Sequence, residues 1–395
     1  MSLTGDRSSG SLSAAVFRHL EELGPLKEAW RELADASGQP YGTPEWMWAW
    51  WAHAAPRGAL LRVIAVSRGD RTLGIAPFFA ESRAGVHRYR ILGAGVSARV
   101  DILARPGDEE AVAGPVAACL SSENPRPDAV LFEGTRRESP WPRLLADTWP
   151  ARSSPRLYRE YALAAPCLDL PLADFDAWFA ARSGHFRARM RRGLRKLAEQ
   201  GGTIRHVSDP GEIERYVSEF ARLHRLRWAS RGGSGVLTGG VERALKEAAS
   251  GSVGVSPVQL WVVDMPQGTI SVQVFLQAGT ELGYWLGGFD AAGHNLRPGP
   301  ALLTLIRVID RAHATGVVTL DLGPGGQPYK AEFANRTQSL DWSALCISRA
   351  KTPAVRLSFV AARARHAALH KLSPGFKRHL RRLQRRLVRS PDPRS

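Results

Sequence analysis

Four stretches of this chain combine residue types suited to binding anions and to acyl chemistry. Leu296–Leu303 reads LRPGPALL. Pro300 suits a first helical turn, where its missing N–H has no partner to lose. Gly299 lets a ligand approach the backbone. The free N–H groups of such a helix start attract phosphate, and Arg297 adds a positive charge beside them. A pyrophosphate is expected against Arg297, Gly299 and Ala301; the plain alternative is a capped helix after a tight loop. Thr319–Phe333 reads TLDLGPGGQPYKAEF. A strand ends near Asp321, a Gly/Pro loop follows, and Tyr329 and Lys330 come next. Strand ends with glycine loops line sites in α/β folds. Asp321 has the chemistry to accept a proton from an attacking amine. Lys330 can offset negative charge on a carrier or a developing oxyanion. The plain alternative is a turn acid and a solvated lysine.

The third stretch, His185–Gln200 (HFRARMRRGLRKLAEQ), carries Arg187, Arg189, Arg191, Arg192, Arg195 and Lys196 against Glu199. Charge of one sign this dense suits phosphates of a substrate or of RNA. Phe186, Met190, Leu194 and Leu197 keep helical spacing and are expected in the core. The fourth is Phe220–Gly235 (FARLHRLRWASRGGSG). Phe220, Leu223, Arg227, Trp228 and Arg231 share one helical side, and Arg with Trp clamps anionic or flat groups. His224 is read as a packed helix histidine rather than a base. The cluster Trp46, Trp48, Trp50 and Trp51 is read as core and inter-domain packing.

Several chemistries lose support. The chain has no GxSxG elbow, no GxxxxGK[ST] loop, no HExxH and no HxxxxD. Cys119, Cys167 and Cys346 are far apart and form no metal spacing, so buried thiols are expected and no metal. No apolar run is long enough to span a bilayer, and the polar Gly/Ser-rich start lacks the pattern of a secretion signal. A cytoplasmic protein is expected.

These stretches need elements to hold them, and one order of elements occurs twice. In the second half, strands at 258–263, 269–276 and 281–286 form a meander. A helix follows at 301–313, stopped by Gly316, then a strand at 317–322. The first half repeats this with strands at 60–66, 72–79 and 86–92, a short strand at 100–103, a helix at 108–120 and a strand at 129–133. Helices open each half: 20–34 and 44–54 in the first, 174–181, 186–200 and 211–230 in the second. The fold class is α/β (α+β): two tandem domains, each a mixed, mostly antiparallel sheet flanked by helices. The expected boundaries are 1–165, 166–350 and a tail, 351–395.

That tail has thirteen lysines and arginines and one acid, Asp392, within a chain of formal charge +17. Phe376, Leu380, Leu383 and Leu387 set an apolar stripe on a candidate helix at 374–389. Polyanions are the expected partners of the tail: tRNA or an anionic membrane face.

The second half resembles the CelD/BcsL acetyltransferase type of the GNAT superfamily. The matching stretches are FRARMRRGLRKLAEQGG, FARLHRLRWASRGGSG, the meander with YWLGGFD, RPGPALLTLIRVIDRAHATG and LDLGPGGQPYKAEF. The first half resembles that family's N-terminal region at TPEWMWAWW, LGIAPFF and ILGAGVSARVDIL. The plan is also similar to the Fem-type peptidyltransferases, two GNAT-like domains that take an amino acid from aminoacyl-tRNA. The resemblance implies direct attack of an amine on an activated carbonyl, with backbone N–H groups at splayed strands holding the oxyanion. It implies acetyl-CoA or another acyl-CoA as co-substrate, with pyrophosphate at Arg297, Gly299 and Ala301. Lys330 matches the lysine of the family's YK motif and steadies the carrier, with Asp321 and Tyr329 flanking it. Arg187, Arg191, Arg227, Trp228, Arg231, Tyr284 and Asp290 are expected on the acceptor side. The superfamily's usual Q/RxxGxG/A signature is absent; RPGPAL stands in its place, and the first half lacks even that, so it is expected to be a degenerate scaffold. The leading expectation is an acyl-CoA-dependent N-acyltransferase acting on a peptide, sugar or small-molecule amine. The alternatives are an aminoacyl-tRNA-dependent ligase of Fem type and a non-catalytic adaptor at a membrane surface.

Overall fold

The computed structural model describes residues 11–150, 154–170, 174–229, 233–237, 240–250, 256–290 and 296–371. The candidate helix at 374–389 and Arg231 lie outside these residues.

The first half runs β1 (Leu12–Phe17), α1 (Lys27–Ala36), α2 (Pro44–Ala54), β2 (Leu60–Arg68), β3 (Arg71–Arg83), β4 (Val86–Ile91) and β5 (Leu103–Ala104). It continues with α3 (Glu109–Ser122), β6 (Ala129–Arg136), α4 (Trp141–Asp147) and β7 (Arg156–Asp169). The second half runs α5 (Phe175–Ala180), α6 (Gly184–Glu199), β8 (Thr203–His206), α7 (Pro210–Ala229), α8 (Val241–Ser250), β9 (Val258–Met265), β10 (Gly268–Ala278) and β11 (Glu281–Phe289). It ends with α9 (Pro300–Ala314), β12 (Thr319–Asp321), α10 (Pro328–Phe333), β13 (Arg336–Cys346) and α11 (Thr352–Lys371).

All strands join one sheet, ordered β1-β2-β3-β4-β6-β13-β7-β12-β11-β10-β9-β8, with β5 added on β3. Neighbours are antiparallel except β4 with β6 and β11 with β12. The expected tandem, mostly antiparallel architecture is thus present. The halves also exchange strands. β7, which ends the first half, pairs with β12 of the second, while β13 from the second pairs with β6 of the first. The exchanged strands pair with each other from Arg336↔Cys167 to Cys346↔Arg156.

The cores follow the same logic. One cluster spans both halves, with Trp30, Trp46, Trp50 and Phe79 of the first in the same core as Ala244, Leu245, Val262 and Trp285 of the second. The tryptophans of α2 accordingly serve core and inter-half packing, Trp46 lying 4.9 Å from Trp285. A second cluster packs α5, α6, α9 and α10 on the second half's strands through Trp178, Phe186, Met190, Phe275, Ile306 and Phe333. Each such buried side chain contributes about 2 kcal/mol. On α6, Phe186, Met190 and Leu197 are buried and Leu194 partly so, while Arg191, Arg192 and Arg195 face solvent. A small third cluster seats Val355 and Phe359 of α11 beside β13. Among the described residues, no helix is long and apolar enough to cross a membrane.

Candidate active site

β11 and β12 pair only over Glu281–Gly283 and Thr319–Asp321. β11 continues to Phe289 along β10. The chain after Asp321 instead turns to β7, with Leu322 N–H donating to Pro166 O and Gly325 N–H to Ala164 O, both at 3.0 Å. The two strands therefore part just beyond Gly283 and Asp321. On β11 the register slips at the same place: Phe275 faces Tyr284 and Val274 faces Leu286. Trp285 is the extra residue of a β-bulge, which frees backbone groups from the ladder and re-aims the strand.

The helix that follows β11 opens beside this gap. Gly299 is the N-cap of α9 and Pro300 its first residue, with no side chain capping the turn. A Cβ on Gly299 would meet nothing within 4 Å, so the helix start is open. Gln273 of β10, 1% exposed, donates to Ala301 O at 2.9 Å. The same side chain flanks Gly287, whose Cβ would fall 2.6 Å from the Tyr284 hydroxyl. Gln273 thus ties the first turn of α9 to β10. Gly193 of α6 is packed against Pro298 and Leu303, where a Cβ would come within 2.7 and 2.9 Å. The basic helix therefore runs alongside the start of α9.

On the other wall, Lys330 is 4% exposed and donates to Gly323 O at 2.9 Å and Pro324 O at 3.0 Å. Burial pulls its pKa down to about 8, against the pull of Asp321. Asp321 is 1% exposed, and both oxygens accept: Oδ1 from Gly323 N–H at 2.8 Å, Oδ2 from Gln338 at 2.9 Å. These two side chains fix the loop that forms the wall. Tyr329 and Tyr284 neighbour one another; burial holds both phenols above their usual range, and Arg227 opposes the shift. Arg227 lies 4.1 Å over the Phe289 ring and donates to Gly287 O at 3.4 Å. His224 is 2% exposed, lies 3.2 Å from the same carbonyl through Nδ1, and is pulled down to about 4 by burial.

Asp321, Tyr329, Lys330, Tyr284, Arg227, Gly299 and Ala301 thus gather around the parting strands. Arg297 is exposed on the loop before α9. Trp228 sits one turn beyond His224, ring centroids 6.2 Å apart. Arg187 and Arg191 turn to α5 instead, Arg187 donating to Ala180 O and Arg191 lying 5.3 Å over Phe179. Asp290 sits at the far end of β11, lining a cavity of about 410 Å³ with Arg215, Arg222 and Thr269. Sequence reasoning missed Tyr41, Arg99, Gln273, Trp285 and Gln338. Two of these, Tyr41 and Arg99, come from the distant first half, and no local pattern marks them.

Residues 184–331 match the family model of the acetyltransferase (GNAT) domain. Over that segment the chain is similar to GNAT acetyltransferases. The matched segment runs from α6 into α10 and includes Asp321 and Lys330, so the parting strands and the open helix start both lie within it. The match makes the chain an enzyme that transfers acyl groups. No curated protein matches. A solved structure of FemX is similar over 87% of this chain and 100% of that chain, at 10% identity and a TM-score of 0.60. A conserved protein of unknown function from Bacteroides thetaiotaomicron is similar over 84% and 100%, at 11% identity and a TM-score of 0.52. At such identities these likenesses show the fold.

Proposed function

We propose that the GNAT domain, of CelD/BcsL type, transfers an acyl group from acyl-CoA to an amine by direct attack. The observation that carries this reading is the parting of β11 and β12 beside the uncapped start of α9. The residues present fit coenzyme A: the open N–H groups at Gly299–Ala301 and the exposed Arg297 suit its pyrophosphate. The acceptor amine adds to the thioester carbonyl, forming a C–N bond. N–H groups of the bulged stretch Tyr284–Leu286 hold the oxyanion. The C–S bond then breaks, and the proton that the nitrogen gives up passes through water to the leaving thiolate. Tyr329 and Tyr284 are the hydrogen-bond donors to the leaving sulfur in this scheme, because burial keeps their phenols protonated. Lys330 and Asp321 serve by holding the Gly323–Pro324 wall.

A second reading replaces acyl-CoA with aminoacyl-tRNA. It is favoured by the exposed arginines of α6 and by the thirteen basic residues after position 350. Calorimetric titration of acetyl-CoA, with charged tRNA in parallel, separates the two. Saturable binding of acetyl-CoA supports the thioester. Binding of charged tRNA alone, falling steeply with salt, supports the second reading.

A further inference from the structure

The two halves repeat one plan up to the point where a cleft opens. β4 and β6 pair in parallel over Arg88–Arg90 and Ala129–Leu131, as β11 and β12 do over Glu281–Gly283 and Thr319–Asp321. Beyond that point they differ. β11 continues and leaves the gap described above. β4 stops at Ile91, and segment 92–102 folds in beside β6. The carbonyl of Ala98 lies so close to Gly134 of β6 that a Cβ there would come within 3.0 Å. Leu103 and Ala104 anchor the far end as β5 on β3. At Gly134 the nearest atom is thus backbone, with the Trp342 ring next at 3.5 Å.

The same segment reaches into the second half. Val96 O accepts the indole N–H of the bulged Trp285 at 2.8 Å. Arg99, 0% exposed, donates through Nη2 to Glu281 at 2.7 Å and to Gly38 O at 2.9 Å. Glu281 is the first residue of β11, and Trp285 is its bulge. The two grips bracket Tyr284.

We propose that segment 92–102 is the first half's own cleft converted into a clamp on β11, leaving one acyl-carrier site per chain and making Arg99 a positioning residue for acyl transfer. The inference builds on the acyl-CoA reading for its catalytic part. Arg99 acts through strand geometry: it fixes where the bulge N–H groups stand relative to the carbonyl. Small misplacements of such donors cost on the order of 100-fold in rate.

Three measurements on the full chain test it. Titration with acetyl-CoA is expected to give one site per chain; two equivalent sites overturn the inference. Arg99→Met leaves Glu281 paired with Arg136, so the fold is expected to survive. Its kcat is expected to fall at least about 10-fold, with acetyl-CoA affinity within about 2-fold of wild type. Arg99→Lys, which keeps the charge without the fork, is expected to rescue only part. Unchanged kcat, or a loss confined to acetyl-CoA affinity, overturns the positioning role. Should Arg99→Met fail to fold, Trp285→Phe removes only the grip on Val96 and is expected to show the same split. Hydrogen exchange without any substrate separates this inference from the function it builds on. Faster exchange at 284–286 in Arg99→Met supports the clamp even if wild type binds no acetyl-CoA, an outcome that sinks the acyl-CoA reading alone. Unchanged exchange there sinks the clamp.

Discussion

The hydroxyl of Tyr41, in the first half, donates to the backbone carbonyl of Tyr284, in the second, at 3.1 Å. Tyr41 is 0% exposed and presses on β11 so closely that a Cβ at Gly283 would lie 2.9 Å from its oxygen. Glycine at 283 is what allows the phenol to reach a strand carbonyl across the junction. Gly283→Ala is therefore expected to destabilise by about 1–3 kcal/mol through overpacking. Tyr41→Phe should cost about 1 kcal/mol for the lost hydrogen bond. The two share one contact, so the double variant is expected to lose less than both together. Urea denaturation of the four proteins measures this, and strict additivity contradicts it.

Lys330 offers a test with a pH signature. Replacing it with Met removes both donors to the glycine loop, and kcat is expected to drop at least about 10-fold while the chain stays folded. In the folded protein its proton leaves near pH 8, whereas the unfolded chain keeps it to about 10.4. Between those values the unfolded state binds more protons, so this lysine's contribution to stability grows with pH. The stability of wild type relative to Lys330→Met is expected to rise from pH 7.5 to pH 10. A stability difference constant with pH contradicts a buried Lys330.

Much of the second half could be read locally. β9 to β11 show as β-rich runs between turns that need positive φ, at Gly268 (+131°) and Gly279 (+53°). α9 shows through Leu305, Ile306 and Ile309 on one face, with Gly316 (+72°) beyond its end. α8 was equally legible: Val241, Ala244, Leu245 and Ala248 keep a helical period, yet no element is placed there from sequence above. β7 and β13 were not legible. Only Ala165, Cys167 and Leu168 of β7 are buried, it alternates poorly, and Pro166 interrupts it, so it looks like a linker. Its partners are β13 and β12, more than a hundred residues away. Stability that comes from distant pairing leaves no local period. The site divides the same way. Asp321, Tyr329, Lys330 and Tyr284 stand in motifs, whereas Tyr41 and Arg99 matter only because the other half folds onto β11.

His224 gives an acid-side prediction. Its Nδ1 faces Gly287 O, and Arg227 and Arg225 add to the effect of burial that holds it near 4. The unfolded chain takes up this proton near pH 6.5. Below that pH the unfolded state binds more protons, so the neutral histidine's contribution is lost as pH falls from 6.5 toward 4. The loss amounts to about 3 kcal/mol at most. His224→Gln carries no such proton, so wild type should lose stability relative to this variant over that window. Denaturation midpoints that move in parallel contradict it.

The helix start can be tested without disturbing the fold. A side chain at Gly299 meets open space, and its φ of −64° suits any residue. Gly299→Glu puts a carboxylate where the backbone N–H groups of α9 face outward. For the protein alone this is neutral or slightly stabilising, since negative charge favours a helix N-terminus. For a pyrophosphate seated there it brings repulsion and competition for the same N–H groups. Affinity for acetyl-CoA is expected to fall about 10-fold or more, which is roughly 1.4 kcal/mol, with no loss in melting temperature. Gly299→Ala changes the shape without the charge and is expected to bind within about 2-fold of wild type. Calorimetry on the three proteins decides the matter. Equal affinities place the phosphates somewhere other than the start of α9. A loss shared by Gly299→Ala and Gly299→Glu points to backbone conformation, because the Cβ is what those two variants have in common at an open position.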